Sequence, residues 1–251
     1  MQKIALSRIR GSIAQYVRLA THVFRPFFTL EVKADQLEKY RSEHEGLTFT
    51  PLLMKVIAAT ARHHPLMNAV VSRRFFGIKV FVQDEVDMCF AVEKTYEGET
   101  FVAVPVIRDV EKKSIQTIAS EIRTIAELPY EELPGIKPVL FFHRYPYFVK
   151  FAHLKSLCRF PRVFKGLFGT IGFSNLGKFG VQVASPTWIN AVTFVIGTID
   201  KKPVIVDGEI KNIPILHITM GFDHAVFDGA EAGRILATVK ELIENGNYDA
   251  L

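Results

Sequence analysis

Strand-like and helix-like runs follow one another along this chain without strict alternation, and this order limits the folds that it can adopt. A doubly wound parallel fold needs a helix between successive strands. β-branched and aromatic runs predict strands over Phe27–Lys33, Ile78–Val82, Val86–Val92, Thr100–Val106, Thr193–Ile199, Pro203–Val206, Glu209–Ile213 and Ile215–Met220. The sequence therefore predicts an α+β fold, a mixed-sheet sandwich flanked by helices.

Capping residues mark the predicted helices. Thr50 followed by Pro51 predicts a helix start, and Ser114 predicts another, before isoleucines at helical spacing. The last helix covers Ala230–Glu244, with Gly246 placed to end it. A short helix is predicted over Ala34–Ser42, and Asp207-Gly208 predicts a hairpin turn.

Composition narrows the class of protein. The chain has 251 residues, of which 49% are hydrophobic, so it can bury a large core and is not disordered. We expect one domain over 1–251. Cys89 and Cys158 lie far apart and suggest neither a disulfide scaffold nor a metal site. The start lacks the pattern of a secretory signal, and no apolar run approaches the ~20 residues of a membrane span. These features lead us to expect a cytoplasmic protein.

The segment Asp223–Gly229 places His224 between a strand-like and a helix-like run. A histidine at such a turn can be held in one orientation and partly desolvated, which suits a general base for a thiol or hydroxyl. Asp228 has a structural role open to it, because it stands where a residue would cap the final helix, with Glu231 three residues on. Spacing alone leaves the catalytic and structural interpretations both open.

A glycine-rich stretch, 172–180, contains Ser174. Three glycines in nine residues permit close approach of the backbone to a ligand, and the Ser174 hydroxyl could there donate a hydrogen bond to an oxyanion. An ordinary glycine-rich turn explains the same pattern.

His63 and His64 are adjacent and face different ways on a helix, and His217 lies within a strand. No metal-ligand spacing results, and we expect no metal.

Residues 134–166 form a basic aromatic segment. From Pro134 to Lys165 there are seven basic residues and no acidic ones, interleaved with phenylalanines and tyrosines. The basic residues are Lys137, Arg144, Lys150, Lys155, Arg159, Arg162 and Lys165. Its prolines argue against one continuous helix. The segment could contact anionic lipid, the phosphates of a nucleotide tail or nucleic acid, or could simply pack with lysines at the rim. No nucleic-acid fold signature accompanies it, which favours a cover over an active-site mouth or a weak membrane contact.

Four motifs occur in order, namely His64–Ala69, Val104–Asp109 followed by Lys113-Ser114, Phe173–Gly177 and His224–Gly229. Together they resemble the catalytic domain of the dihydrolipoamide acyltransferases of 2-oxoacid dehydrogenase complexes, from about Ile4 to about Ile243. The resemblance implies a chloramphenicol-acetyltransferase-like fold and a homotrimer. It implies that His224 of one chain faces Ser174 of its neighbour across the subunit interface.

The resemblance also implies a mechanism. His224 deprotonates a thiol of coenzyme A or of the acceptor, the thiolate attacks a thioester, and Ser174 hydrogen-bonds the oxyanion. Asp228 holds the loop that presents His224. Coenzyme A or acyl-CoA is then a substrate, and neither a metal nor a covalent enzyme intermediate is needed.

Some features depart from the family. The chain begins almost at the catalytic domain, so we expect no lipoyl or subunit-binding domain and no covalently bound lipoate. The acceptor is then a lipoyl domain in trans or a small alcohol, amine or thiol. Ala225 stands where the family usually has arginine, and residues 93–100 look longer and more acidic than the family loop.

Two other functions stay open. One is a catalytically idle trimeric scaffold of the same fold that binds a complex or a membrane through the basic aromatic segment. The other is peptide-bond condensation, whose domains share an H-x-x-x-D-G signature. Those domains usually carry paired histidines, whereas here Asp223 precedes His224.

Overall fold

A computed structural model describes residues 7–21, 23–74, 77–142, 145–185, 187–206 and 208–251. Its helices are α1 (Arg8–Thr21), α2 (Asp35–Glu43), α3 (Phe49–His63), α4 (Ile115–Glu127), α5 (Ile136–Phe142), α6 (Tyr147–Leu157), α7 (Pro161–Phe168) and α8 (Gly229–Asn245). Its strands are β1 (Phe27–Lys33), β2 (Ala69–Arg74), β3 (Gly77–Val82), β4 (Met88–Phe90), β5 (Val92–Tyr96), β6 (Glu99–Ala103), β7 (Val106–Ile107), β8 (Ile171–Asn175), β9 (Val192–Val206) and β10 (Glu209–Phe222).

A six-stranded mixed sheet lies at the centre of the fold, in the order β1-β10-β9-β8-β4-β7. Strand β8 runs parallel to both β4 and β9, and the remaining neighbours are antiparallel. Strands β2 and β3 form one separate hairpin, and β5 and β6 form another. The predicted α+β fold with a mixed sheet and flanking helices is confirmed.

One face of the sheet carries the core. Alternate residues of the strands, such as Phe173, Phe194 and Met220, are fully buried in one apolar cluster with helix residues. Helix α3 is buried along Pro51–Ala61, and α8 buries a stripe at helical spacing. Because successive side chains in a strand point to opposite faces, the neighbours of these core residues lie on the other face of the sheet.

Capping predictions are confirmed at two helices and corrected at a third. The Ser114 hydroxyl accepts a hydrogen bond from the Thr117 N–H at 3.1 Å at the start of α4. Gly246 ends α8 with a φ of 71°. Thr50 is not a cap, because α3 begins two residues earlier than predicted, after Thr48. The Thr50 hydroxyl instead accepts a hydrogen bond from Asn175 Nδ2 at 3.1 Å.

The four strands predicted after residue 192 are two long strands. Thr193–Ile199 and Pro203–Val206 belong to β9, while Glu209–Ile213 and Ile215–Met220 belong to β10. The predicted breaks, at residues 200–202 and at Pro214, are paired strand in the structure: Pro203 pairs with Asn212, and Pro214 pairs with Lys201. Here the two strands extend past the rest of the sheet as a ribbon, where proline is tolerated on an unpaired edge. Asp207 of the predicted turn lies outside the described residues, and Gly208 has a φ of 80°.

The first half of the chain shows both agreement and correction. Phe27–Lys33 is confirmed as β1, and the predicted short helix corresponds to α2. The run Val86–Val92 was predicted as one strand but divides between β4 of the main sheet and β5 of a hairpin. Thr100–Val106 likewise divides between β6 and β7, on either side of Pro105.

The basic aromatic segment forms three short helices, α5, α6 and α7, so the expectation that it is not one helix is confirmed. Helix α6 packs against α1 near the start of the described chain. Arg144 lies outside the described residues.

Candidate active site

His224 lies in the turn that joins β10 to α8. Its Nδ1 is 2.8 Å from the Phe227 carbonyl oxygen. A carbonyl only accepts hydrogen bonds, so Nδ1 carries the proton and Nε2 keeps its lone pair. The Phe222 ring packs edge-on against the imidazole, with 6.0 Å between centroids. The turn therefore presents an exposed imidazole in one orientation and in the tautomer of a base.

Asp228 caps α8, as one of its two interpretations predicted. Its Oδ1 accepts a hydrogen bond from the Glu231 N–H at 2.8 Å. The Glu231 carboxylate accepts a hydrogen bond from Arg234 and lies 3.2 Å from His64 Nδ1, so it links α8 to the end of α3. Arg234 and His64 keep the pKa of Glu231 below its usual range. Asp228 thus fixes where α8 begins, directly after the turn that carries His224.

Asp223 anchors the same turn, a role that the sequence alone does not indicate. Its carboxylate, 1% exposed, is hydrogen-bonded by Arg73 of β2, and Arg25 Nη2 lies 4.0 Å away. Its other oxygen accepts from the Ala225 N–H at 3.0 Å. Burial lowers the pKa of Arg25, and Asp223 opposes that shift. The position of Asp223 beside His224 was visible in the sequence, but its two arginine partners are about 150 and 200 residues distant along the chain, which no local pattern reveals.

Ser174 lies in β8, next to the core residue Phe173, so its side chain points to the opposite face of the sheet. It is 7% exposed, and among the described residues no hydrogen bond engages its hydroxyl. The following turn is held by Asn175 Oδ1, which accepts from the Gly177 N–H at 3.1 Å. A Cβ on Gly177 would lie 2.4 Å from the Gly197 carbonyl oxygen, so this turn requires glycine. The hydroxyl is held by a rigid strand and is available as a donor.

His224 and Ser174 are not brought together within one chain. Ile171 at the start of β8 pairs with Val192, and Val192 pairs with Phe222 at the end of β10. Ser174 lies three residues further along and two strands away, so its Cα is roughly 14 Å from that of Phe222. His224 follows Phe222 beyond the end of the sheet. A site that uses both side chains therefore needs a second copy of the chain.

A pocket of about 460 Å³ lies past the carboxyl end of β8, on the helix side of the sheet. Phe173 and Asn175 line it together with the first residues of α3. Ser174 points away from this pocket, to the other face. The pocket is therefore not the space between Ser174 and a base.

Among the described residues, no group of three or more histidine, cysteine or acidic side chains is arranged to hold a metal. His64 and His217 have other partners: His64 Nε2 is 2.9 Å from the Thr238 hydroxyl, and His217 Nε2 accepts from Lys202 at 3.1 Å. Both cysteines are free thiols, and burial raises the pKa of Cys158 to about 12.

In the part of the chain that is described, no helix is long and apolar enough to cross a bilayer.

The profile of the family described as 2-oxoacid dehydrogenases acyltransferase (catalytic domain) matches residues 1–132 and 162–249. The chain belongs to this family. The matched regions of this acyltransferase domain contain Ser174, His224 and Asp228, and they leave out residues 133–161, which cover most of the basic aromatic segment.

Curated relatives are distant in sequence. The domain is 23% identical over 256 residues to the dihydrolipoyllysine-residue acetyltransferase component of the pyruvate dehydrogenase complex of Acholeplasma laidlawii, covering 98% of this chain and 41% of the relative. It is 26% identical over 221 residues to the dihydrolipoyllysine-residue succinyltransferase component of the 2-oxoglutarate dehydrogenase complex of Staphylococcus aureus. This match covers 86% of this chain and 44% of the relative. The chain thus spans about two fifths of the length of these relatives.

Solved structures share the fold. The dihydrolipoamide acetyltransferase of Azotobacter vinelandii, in whose catalytic mechanism a serine, a histidine and an asparagine were investigated, matches with a TM-score of 0.76 and 20% identity, covering 100% of this chain and 94% of that chain. A probable dihydrolipoamide acetyltransferase of Listeria monocytogenes matches with a TM-score of 0.72 and 21% identity, covering 98% and 95%. A chloramphenicol acetyltransferase matches with a TM-score of 0.53 at 15% identity, covering 97% and 100%. The expected fold family is confirmed.

Proposed function

We propose that this domain transfers an acyl group between coenzyme A and a thiol acceptor, with His224 as the general base and Ser174 as the oxyanion donor. The observation that carries the proposal is the bond between His224 Nδ1 and the Phe227 carbonyl, because it leaves Nε2 as the basic nitrogen. The family match and the unengaged Ser174 hydroxyl support it.

The reaction balances as a thioester exchange. Nε2 of His224 takes the proton from the attacking thiol, and the thiolate adds to the thioester carbonyl carbon. Ser174 donates its hydroxyl hydrogen bond to the tetrahedral oxyanion. The oxyanion collapses, the C–S bond to the first thiol breaks, and the departing thiolate takes the proton from His224. A single oxyanion donor contributes about 10²–10³-fold and a positioned base about 10²–10⁴-fold.

The site is a shared one in this proposal. Within one chain, Ser174 lies in β8 and His224 lies in the turn after β10, beyond the other end of the sheet. We place the imidazole of one protomer opposite the hydroxyl of the next, in a homotrimer. The A. vinelandii protein supports the assignment by its residue types, since its asparagine follows its histidine by four positions, as Asp228 follows His224 here.

The proposed acceptor is a dihydrolipoyl group carried on a separate lipoyl domain. The curated relatives are named for the transfer of acetyl and succinyl groups involving dihydrolipoyllysine residues. Asp228 serves the reaction indirectly, since its side chain caps α8 and so fixes the far end of the turn that carries His224.

The test offers acetyl-CoA, succinyl-CoA and longer acyl-CoAs with dihydrolipoamide, free lipoyl domain or small alcohols and amines, and follows release of the CoA thiol. We expect turnover with a dithiol acceptor and a fall of at least about 10²-fold in His224→Ala. His224→Asn is the sharper variant, because its amide can still donate to the Phe227 carbonyl but is no base. His63→Ala is the matched control, since it removes an exposed histidine at the end of α3. Equal rates in His224→Asn and wild type would remove His224 from the mechanism. Failure with every donor and acceptor would favour the idle scaffold.

A further inference from the structure

Helices α5 and α6 present large aromatic side chains to solvent. Phe148 is 72% exposed and Phe141 is 59% exposed, values that are high for phenylalanine in a folded protein. Tyr145 packs on Phe141 with 5.5 Å between ring centroids, and it is itself exposed. Two lysines, Lys137 and Lys155, are exposed on the same two helices. We call these five residues the basic aromatic surface.

The helical spacing arranges these residues in rows. Lys137 and Phe141 are four residues apart on α5, and Phe148 and Lys155 are seven apart on α6, so each pair shares one side of its helix. The Phe142 and His153 rings lie 5.1 Å apart and join the end of α5 to α6. Along this pair of connected helices, the three exposed aromatic side chains lie in sequence between the two lysines.

The opposite side of α6 is tied to the rest of the domain. Lys150 is 5% exposed, and its ammonium lies 3.1 Å from the Ser12 hydroxyl on α1. Burial lowers the pKa of Lys150. Phe148 is thus exposed on a helix whose other side is packed, so its exposure does not reflect an unpacked helix.

The charge of this surface has one sign. No acidic residue occurs between Pro134 and Lys165. Among the ion pairs of the described residues, none engages Lys137, Lys155, Arg159 or Arg162. Lys165 in contrast pairs with Glu85 at 2.6 Å. These four side chains can therefore pair with an anion that is not part of this chain.

We propose that the basic aromatic surface docks this domain on an anionic lipid bilayer. Phenylalanine rings enter the boundary between headgroups and acyl chains, while lysines reach the lipid phosphates from the rim. A protein partner would need its own acidic surface, whereas an anionic leaflet presents a continuous negative potential. The family profile matches up to residue 132 and resumes at 162, so the surface lies outside the part that this domain shares with its family. Docking is independent of the acyl-transfer chemistry.

The experiment is sedimentation of the full chain with vesicles of phosphatidylcholine containing about a third phosphatidylglycerol, and with phosphatidylcholine alone. We expect binding to the anionic vesicles at low salt, and loss of most of it near 1 M salt, where the screening length falls to about 3 Å. Lys137→Ala combined with Lys155→Ala should weaken binding by about fivefold per lysine removed. Phe148→Ser should weaken it further.

Matched controls come from other exposed residues. Ile210→Ser removes an apolar side chain that is 77% exposed on the β9–β10 ribbon, and Lys39→Ala combined with Lys211→Ala removes two exposed lysines elsewhere. Both controls should sediment like wild type. No sedimentation at low salt would overturn the proposal. Sedimentation that is unchanged in Phe148→Ser would overturn the insertion of the phenylalanine rings and leave a purely ionic contact with the lipid. If wild type does not bind vesicles and Phe148→Ser lowers the molecular mass of the protein in solution, the surface is a contact between copies, and docking on lipid is overturned.

Discussion

Removal of the Asp223 carboxylate is expected to destabilise the domain strongly. The side chain is 1% exposed, and that of Arg25, the deeper of its two arginine partners, is 8% exposed. Breaking a buried ion pair by removing one partner costs about 3–5 kcal/mol, because the other charge stays buried without compensation. Arg25 still donates to the Ile189 carbonyl at 3.1 Å. We therefore expect about 3 kcal/mol, the lower end, for Asp223→Ala.

The assay is urea unfolding at one fixed protein concentration, because association would add to the apparent stability. Asp223→Asn keeps an oxygen that can accept from the Ala225 N–H but loses the charge between the two arginines. It should account for most of the loss. Glu121→Ala is the control, since Glu121 pairs with Lys113 at the surface and such pairs contribute about 1 kcal/mol or less.

If Asp223→Ala and Glu121→Ala lower the free energy of unfolding by the same small amount, the buried cluster does not hold the His224 turn as argued. If Asp223→Asn is as stable as wild type, the charge is irrelevant and only the shape of the side chain matters.

Three further outcomes are expected. Asp228→Ala should lose about 1 kcal/mol of stability through the lost cap while Asp228→Asn stays near wild type, as measured by urea unfolding. Gly172→Ala should destabilise by about 1–3 kcal/mol in the same assay, because the added Cβ would lie 2.6 Å from the Trp188 ring. Burial raises the pKa of Tyr130 from 10.0 to about 12. The contribution of the neutral Tyr130 side chain to stability is therefore complete below pH 10 and is lost as pH rises to about 12. The free energy of unfolding of wild type relative to Tyr130→Phe should fall over that interval.

Local patterns predicted the elements whose signals are local. The boundaries of β1 agree with its alternation, and Ser114, Asp228 and Gly246 cap or end their helices as their residue types predict. The merging of β9 and of β10 could not be read locally, because prolines that end a central strand are tolerated in a two-stranded ribbon. The division of Val86–Val92 into β4 and β5 could not be read locally either, because the two parts differ only in the strands with which they pair.

The sequence names the candidate residues of the site, but it does not show the contacts that hold them in place. His224 and Ser174 stand in recognisable motifs, and the structure gives each a fixed setting. The ion pairs that hold the turn join Asp223 to Arg25 and Arg73, and only the tertiary fold brings these residues together. The separation of Ser174 from His224 follows from the register of three strands, which the sequence does not encode in any short pattern.

The composite site is tested most directly by complementation between two inactive variants. His224→Ala and Ser174→Ala should each lose at least about 10²-fold in acyl transfer when assayed alone. Co-expressed in equal amounts, they should recover about a quarter of the wild-type rate, because in a closed ring one interface in four joins an intact histidine to an intact serine. A mixture no more active than the average of the two variants would show that His224 and Ser174 do not act together across two chains.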